Sequence, residues 1–403
     1  MELLSRDPQL RAALFRLVDV APACAGPREL AAHLASLLGE VERPLAPVSA
    51  TRRASRQRAT SGAIGGVAGL AVHRMAKRFI VGRGPGDAVP ALARLWRAGA
   101  AASVDLLGEA TVTAAEADRY AQRCHEALRT IAAAATDWPR RPVLERDSAG
   151  ALPRANLSVK VSALTPRVRA DAPELGIADA KDRLRGLLRT ARDVNAHLHV
   201  DMESMDSREL VTELVLQLLA EPEFAGGPSA GIVLQAYLRD ADEQLDHILD
   251  GLTERSTPLT VRLVKGAYWE HETVEARQHG WPAPVFEAKA DSDRSFERLT
   301  RKLLAARPTL RVAIASHNVR SLAHAIALAP EGDLELQVLR GLGDDLQDAL
   351  AGMGLRVRTY SPVGDLVAGM SYLVRRLLEN TSNDSFLLSR SRGVDLDSLL
   401  AAP

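Results

Sequence analysis

The stretch 157–164, LSVKVSAL, changes character at every residue. Leu157, Val159, Val161 and Ala163 make one face, and Ser158, Lys160 and Ser162 make the other. A period of two is the signature of a β-strand, because successive side chains leave opposite faces of the pleat. The same alternation recurs downstream. In 197–203, HLHVDME, the apolar face is Leu198, Val200 and Met202, and the polar face is His199, Asp201 and Glu203. In 232–238, IVLQAYL, Gln235 opposes Leu234 and Ala236. In 260–266, TVRLVKG, Arg262 shares a face with Val264 and Gly266, and in 334–339, LELQVL, Gln337 opposes Leu336 and Val338.

Three more runs complete the set: 103–108 (SVDLLG), 312–317 (VAIASH) and 355–361 (LRVRTYS). Helix-period segments such as 180–195 and 296–306 lie between the runs. Eight strand–helix alternations predict an α/β chain closed into a (β/α)8 barrel of TIM type. The apolar faces should pack on the outer helices, which turns the polar faces inward. Polar groups inside a barrel must be paired or must bind something, and here they fall late in each strand, where barrel sites lie. Glu109 and Tyr360 end the first and last runs.

The 403 residues suit one such barrel with an added segment. Residues 1–95 read as an Ala/Arg/Leu-rich helical arm, and 96–403 as the barrel with a C-terminal capping helix. Hydrophobic residues make up 46% and charged residues 25%, which fits a globular chain with a sizeable core. Lys+Arg and Asp+Glu both number 51, so no global field favours nucleic acid. Cys24 and Cys124 stand far apart without metal-ligand spacing, which argues against disulfides and zinc and for a reducing compartment. The opening MELLSRDPQL lacks the pattern of a secretory leader. The basic stretch 42–61, ERPLAPVSATRRASRQRATS, reads as a solvated linker or helix face. The run 62–72, GAIGGVAGLAV, is about half a membrane span, followed by His73, Arg74 and Lys77, so it predicts a packed or surface helix.

Some constellations can carry chemistry. Lys160, between Ser158 and Ser162, needs a counter-charge, which is either a structural partner such as Asp201 or a bound carboxylate. Arg375 and Arg376 lie among Leu373, Val374, Leu377 and Leu378 after the last run, and a partly buried guanidinium suits a carboxylate held by two parallel bonds. In 261–270, VRLVKGAYWE, Gly266 and Ala267 permit close backbone approach beside Tyr268 and Trp269, giving either stacking surface for a planar cofactor or a plain βα turn. His317 and Asn318 could bond a cofactor or cap the next helix. GxGxxG after a strand, GxxxxGK[ST], HExxH and GxSxG are all absent.

Taken in order, NLSVKVSALTP, HVDMES, VLQAYLRD, VRLVKGAYWE, ASHN, LELQVLRGLG and YSPVGDLVAGMSYLVRRLLENTSNDSF resemble the proline dehydrogenase family. The resemblance is nearest to the proline dehydrogenase part of bifunctional bacterial proline-utilization flavoenzymes, and spans about residues 78 to 390. It implies a distorted barrel with non-covalent FAD at its C-terminal mouth. It also implies oxidation of L-proline to Δ1-pyrroline-5-carboxylate, by hydride passage from C5 to flavin N5, with electrons going on to a quinone. Carried over residue by residue, Lys160, Arg375 and Arg376 bind the proline carboxylate. Tyr360, Leu339 and Tyr268 line the ring pocket, Glu109 gates it through Arg375, and Asp201 sits beside Lys160 and the flavin. Gln235, Arg262, Val264, Gly266, Ala267, Trp269, Ser316, His317, Asn318, Gln337 and Glu379 match FAD-contacting positions.

The family's histidine in the glycine-rich segment after LELQVL is Arg340 here. The 403 residues hold no aldehyde dehydrogenase like that of bifunctional relatives, so either a separate pyrroline-5-carboxylate dehydrogenase is the expected partner or the chain is a fragment of a bifunctional enzyme. The expected location is the cytoplasm, with peripheral contact at the inner membrane, and no nucleic acid partner. Two other readings fit parts of the pattern. One is a barrel lyase using Lys160 or Lys265 as a Schiff-base nucleophile. The other is a non-catalytic docking barrel with the helical arm as its partner surface.

Overall fold

The computed structural model describes residues 8–42, 46–108, 110–252, 255–365, 369 and 393–403. Eight parallel strands close into a barrel: β1 (Ala100–Leu106), β2 (Ala155–Val159), β3 (Ala196–Val200), β4 (Ser229–Gln235), β5 (Leu259–Val264), β6 (Leu310–Ala315), β7 (Leu334–Leu339) and β8 (Arg356–Val363). Each strand pairs with its sequence neighbour, and β1 closes the ring against β8. Helices cover the outside, among them Ala114–Ala135, Pro173–Asp193, Met205–Leu219 and Lys289–Ala305. The (β/α)8 fold predicted from period two is the fold observed.

The strand limits differ from the sequence runs in a consistent way. Several strands begin two or three residues earlier, at Ala100, Ala155 and Leu310 for example. All seven residues of β1 are buried, so its first residues show no alternation to read. A strand covered on one face by helices and on the other by the barrel interior loses the polar half of its pattern. Most strands also end earlier than the runs. LSVKVSAL leaves the ladder after Val159, and Val161–Ala163 is a turn of 3-10 helix. Lys160 therefore stands at the hinge between strand and loop.

The helix after β1 shows how local chemistry sets a boundary. The Thr113 hydroxyl accepts from the Glu116 amide at 3.3 Å, and the Glu116 carboxylate accepts from the Thr113 amide at 3.1 Å. This capping box satisfies donors that the first helical turn leaves unpaired. The helix then buries Tyr120, Cys124, Leu128 and Ile131 on one face against the barrel.

Before the barrel come helices Pro8–Val20, Pro27–Leu37, Ala46–Arg56 and Arg58–Phe79, with a core of their own built from Leu10, Leu17, Leu30, Leu34 and Leu37. The small-residue run 62–72 lies within Arg58–Phe79. Gly65 is buried, and a Cβ there would stand 1.6 Å from the Pro27 carbonyl oxygen. Glycine thus lets two helix backbones approach. Among the described residues, no helix is long and apolar enough to cross a membrane. Helix Pro85–Arg97 packs Leu92 and Trp96 into the barrel core. Phe79 meets the barrel at Gly341, whose φ is +81° and whose Cβ would lie 2.7 Å from the Phe79 ring.

Candidate active site

The C-terminal ends of the strands surround a cavity of about 330 Å³, within the range typical of small-molecule sites. Its wall includes Lys160 after β2, Asp201 after β3, Gln235 at the end of β4, Arg262 and Val264 on β5, and Gly266, Ala267 and Tyr268 beyond β5. Ser316 and His317 follow β6, Gln337 and Leu339 lie on β7, and Tyr360 lies on β8. Strands distant in sequence place these side chains around one space because the barrel closes.

The floor is a continuous polar network. Lys160 Nζ donates to Asp105 Oδ1 at 2.7 Å, Asp201 Oδ2 at 3.3 Å and the Tyr360 hydroxyl at 3.3 Å. The Tyr360 hydroxyl donates to Asp201 Oδ2 at 2.7 Å. Arg262 donates to Asp201 Oδ1 at 2.7 Å, to Gln337 Oε1 at 2.6 Å and to Ser158 Oγ at 3.2 Å. Its guanidinium also lies 5.5 Å from the centre of the Tyr360 ring, close enough for a cation–π contact. Gln337 Nε2 in turn donates to Glu335, which Arg358 grips with two parallel bonds of 2.8 and 2.9 Å. The Gln337 amide is oriented by this chain, with its oxygen held for Arg262.

Electrostatics fix the protonation states. Burial works against the Lys160 charge, but Asp105 and then Asp201 outweigh it and hold the ammonium well above the usual lysine range. Burial likewise opposes ionisation of Asp201, yet Lys160 and Arg262 hold its carboxyl below the ordinary range. Burial, reinforced by Asp105 and Asp201, pushes the Tyr360 hydroxyl far up, so it stays a neutral donor. Lys160, Arg262 and Arg358 thus face Asp105, Asp201 and Glu335 in this network, with the Tyr360 phenol between Lys160 and Asp201. Lys160 is too firmly protonated to start a Schiff base, which requires a neutral amine. Lys265 also lines the cavity; burial lowers its pKa despite the ion pair with Asp293.

Two buried acceptors at the wall have no hydrogen-bond partner among the described residues: Gln235 Oε1 and Glu203 Oε2. Gln235 is aimed by its amide nitrogen, which donates to the Glu203 carbonyl at 2.9 Å. Buried acceptors left unpaired beside a cavity suit a ligand with N–H donors. Gly266, at φ +138°, lies against the Tyr237 ring, where a Cβ would come within 2.4 Å of ring carbons. It keeps this stretch of wall flat and free of side-chain bulk. A planar, polar-edged cofactor fits these features. No cluster of potential metal ligands occurs among the described residues.

Other expected positions sit differently. Trp269 starts helix Trp269–His279, is 39% exposed, donates its indole N–H to the Phe286 carbonyl, and lies outside the cavity wall. Asn318 caps helix Val319–Leu328, its Oδ1 accepting from the Ser321 amide at 3.2 Å. His317 Nε2 accepts from the Leu339 amide at 3.0 Å, tying the loop after β6 to the end of β7. Arg340 is half-buried and is absent from the wall. Glu109, Arg375, Arg376 and Glu379 lie outside the described residues. Sequence reasoning missed Asp105, the nearest partner of Lys160. The signal was present in SVDLLG, since Asp105 shares a strand face with Ser103, two residues earlier.

Residues 88–389 match the family described as proline dehydrogenase, and residues 1–79 match the proline utilization A N-terminal domain. The chain is 32% identical over 346 residues to the bifunctional protein PutA of Escherichia coli, an alignment covering 83% of this chain and 25% of the relative. The chain thus spans about a quarter of the length of the bifunctional relatives it matches. It is 30% identical over 322 residues to proline dehydrogenase of Deinococcus radiodurans, covering 78% of this chain and 89% of that one. Among solved structures, proline utilization A from Bdellovibrio bacteriovorus inactivated by N-propargylglycine superimposes with a TM-score of 0.90 at 37% identity, covering 100% of this chain and 40% of the other. A barrel with a charge-balanced polar floor, a matched sequence over its whole span and a relative of similar length lead to one conclusion: the chain belongs to the proline dehydrogenase family.

Proposed function

We propose that this chain oxidises L-proline to Δ1-pyrroline-5-carboxylate with FAD bound at the barrel mouth, the first step of proline catabolism. The observation that carries the proposal is the Lys160 ammonium at the cavity floor, facing a wall of Tyr360, Tyr268 and Leu339. A cation beside an apolar and aromatic wall suits a small ring bearing one carboxylate. Lys160 holds that carboxylate, with Arg375 and Arg376 as its further partners, while the aromatic wall packs the ring. Gln235, with its unpaired acceptor, and the Gly266–Ala267 turn hold the edge and face of the flavin. FAD, held there, would supply the two-electron acceptor for the hydride lost from proline C5. Arg262 keeps a fixed positive charge at the floor, which favours delivery of negative charge into the cavity.

Holding both ends of the ring aims C5 and removes orientational freedom before reaction. Loss of a hydride from C5 leaves a C5=N double bond, so the proline nitrogen must be unprotonated. Asp201 is engaged by Arg262, Tyr360 and Lys160 and is poorly placed to serve as a base. In this proposal proline reacts as the free amine or loses its proton through water. We expect kcat/KM to rise with pH through the titration of the proline amine; a flat profile argues for a dedicated base on the protein.

The electron acceptor in this proposal is a quinone, reached by peripheral contact at the inner face of a membrane from the cytoplasm, and the product passes to a pyrroline-5-carboxylate dehydrogenase. The direct test is spectroscopic. Purified protein should carry a flavin spectrum that proline bleaches and a soluble quinone restores. A colourless protein that borohydride traps on a carbonyl substrate would instead support lyase chemistry at Lys265. Comparison of kcat/KM for proline and hydroxyproline fixes the substrate, and a clear preference for hydroxyproline would overturn that part alone.

A further inference from the structure

Lys160 has two carboxylate neighbours, and they are not equivalent. Asp201 is shared: one oxygen accepts from Arg262, and the other accepts from both Tyr360 and Lys160. Asp105 is closer, at 2.7 Å against 3.3 Å, and its side chain is 2% exposed against 10% for Asp201. It reaches Lys160 because β1 pairs with β2 in a register that sets Asp105 beside Ser158, two residues before Lys160. The lysine side chain itself is 25% exposed, toward the cavity. With Asp105 and Asp201 facing Lys160 and Arg262, the described floor is neutral before any ligand arrives.

A ligand carboxylate entering this floor adds a third anion to the two described cations, Lys160 and Arg262, ahead of any contribution from Arg375 and Arg376. It must share the Lys160 ammonium with a carboxylate that already holds it in a low-dielectric setting. We infer that Asp105 is a positioning residue acting through Lys160: it competes with the ligand carboxylate for the ammonium and sets a deliberately weak hold on carboxylate ligands. The inference rests on the reading of Lys160 as the carboxylate anchor. It has a functional sense in that reaction. Substrate and product carry the same carboxylate, so any excess grip on it slows product departure as much as it aids substrate binding.

The test is a pair of ligands on a pair of variants, measured by calorimetry on the flavin-loaded protein. Tetrahydrofuran-2-carboxylate has the ring and the charge but no oxidisable amine, and tetrahydrofuran-2-carboxamide has the same ring without the charge. Asp105→Asn keeps shape and an acceptor for Lys160 while removing the negative charge. The Kd of the carboxylate should fall about tenfold, the scale expected when a like charge a few ångströms away is removed from a partly buried site. The Kd of the carboxamide should stay unchanged. A purely structural role for Asp105 would weaken both ligands, so an unchanged or raised carboxylate Kd overturns the inference, as does a carboxamide Kd that falls in step. Asp105→Ser, which also removes the charge and keeps an oxygen, carries the same prediction should the Asn variant fail to fold. Lys160→Met separates the two layers of the argument. If it leaves the carboxylate Kd at the wild-type value, the anchor itself is wrong; if it weakens the carboxylate while Asp105→Asn does not tighten it, only the role of Asp105 fails.

Discussion

The Tyr360 hydroxyl is the smallest group on which the site turns. It donates to Asp201 at 2.7 Å and accepts from Lys160 at 3.3 Å, so it bridges an anion and a cation that also contact each other. Hydrogen bonds to charged groups are worth roughly 1.5–3 kcal/mol. Tyr360→Phe keeps the ring and its contact with the Arg262 guanidinium but removes the bridge. We expect kcat/KM for proline to fall at least about tenfold, the effect of losing ~1.5 kcal/mol, with the flavin spectrum retained. Steady-state kinetics at fixed pH checks this, and wild-type values would show that the bridge does not hold the working geometry. At this scale the sequence was readable where period two held. It turned Lys160, Asp201, Arg262 and Gln337 to one side of their strands, and all four line the cavity. It left Asp105 unremarked because a carboxylate followed by Leu106 and Leu107 looks like the polar position of an ordinary strand.

Two elements show how backbone approach is purchased with glycine. The turn after β5 needs Gly266 because the Tyr237 ring occupies the place of a Cβ. The helix Arg58–Phe79 needs Gly65 because the Pro27 carbonyl occupies the corresponding place in the arm. Gly65→Ala inserts a methyl where a backbone oxygen stands, so the two helices must separate. We expect the arm to become more susceptible to limited proteolysis, while the barrel keeps its cavity and its flavin. Mass mapping of the fragments is the measurement, and cleavage no faster than in the wild type would mean that the arm absorbs the change without opening. Strand ends obey a related logic. β2 stops at Val159, and Lys160 leaves the ladder at the point where its side chain can reach Asp105, Asp201 and Tyr360. Period two extends through Ala163 in the sequence, so only the three-dimensional course of the loop reveals this stop.

Across the whole barrel, the polar floor of the cavity continues downward into a buried interior. His197 and His199 lie there with Glu335 and Arg358, and the sequence runs concentrated attention on the late ends of the strands. Burial, aided by the Arg358 charge, depresses His197 to about 3, and burial with the Arg262 charge holds His199 well below the usual histidine range. Burial opposes the charge on Glu335, but Arg358 outweighs it and lowers that carboxyl to about 2. All three shifts act in one direction. The unfolded chain binds protons that the folded chain refuses, so stability rises with pH wherever the unfolded groups titrate. The histidines contribute fully above about pH 6.5, and their contribution falls as pH drops from there toward 3. Glu335 adds its loss between its ordinary range and about 2. We expect Tm to decline steadily from pH 7 to pH 4, and the His197→Gln/His199→Gln variant to decline less steeply between pH 6.5 and 5. Scanning calorimetry across that range decides the matter, and equal slopes would place the acid sensitivity elsewhere.

By itself the sequence determined the class of the fold and the direction in which the polar residues point. Both follow from local rules, since a strand with helices on its outer face and polar groups on its inner face alternates, and eight strand–helix units close a parallel ring. The family match was legible from motifs distributed along nearly the whole barrel. Tertiary structure alone decided which charges meet. Asp105, Lys160, Asp201, Arg262 and Tyr360 come from five strands, and their distances depend on the register in which those strands pair and on the closure of β1 against β8. Ion pairing is a matter of a few ångströms across the ring, and no spacing along the chain encodes it. The lysine in LSVKVSAL and its partner Asp201 were visible from the start; that Asp105 is a second and nearer carboxylate became visible only when the barrel closed.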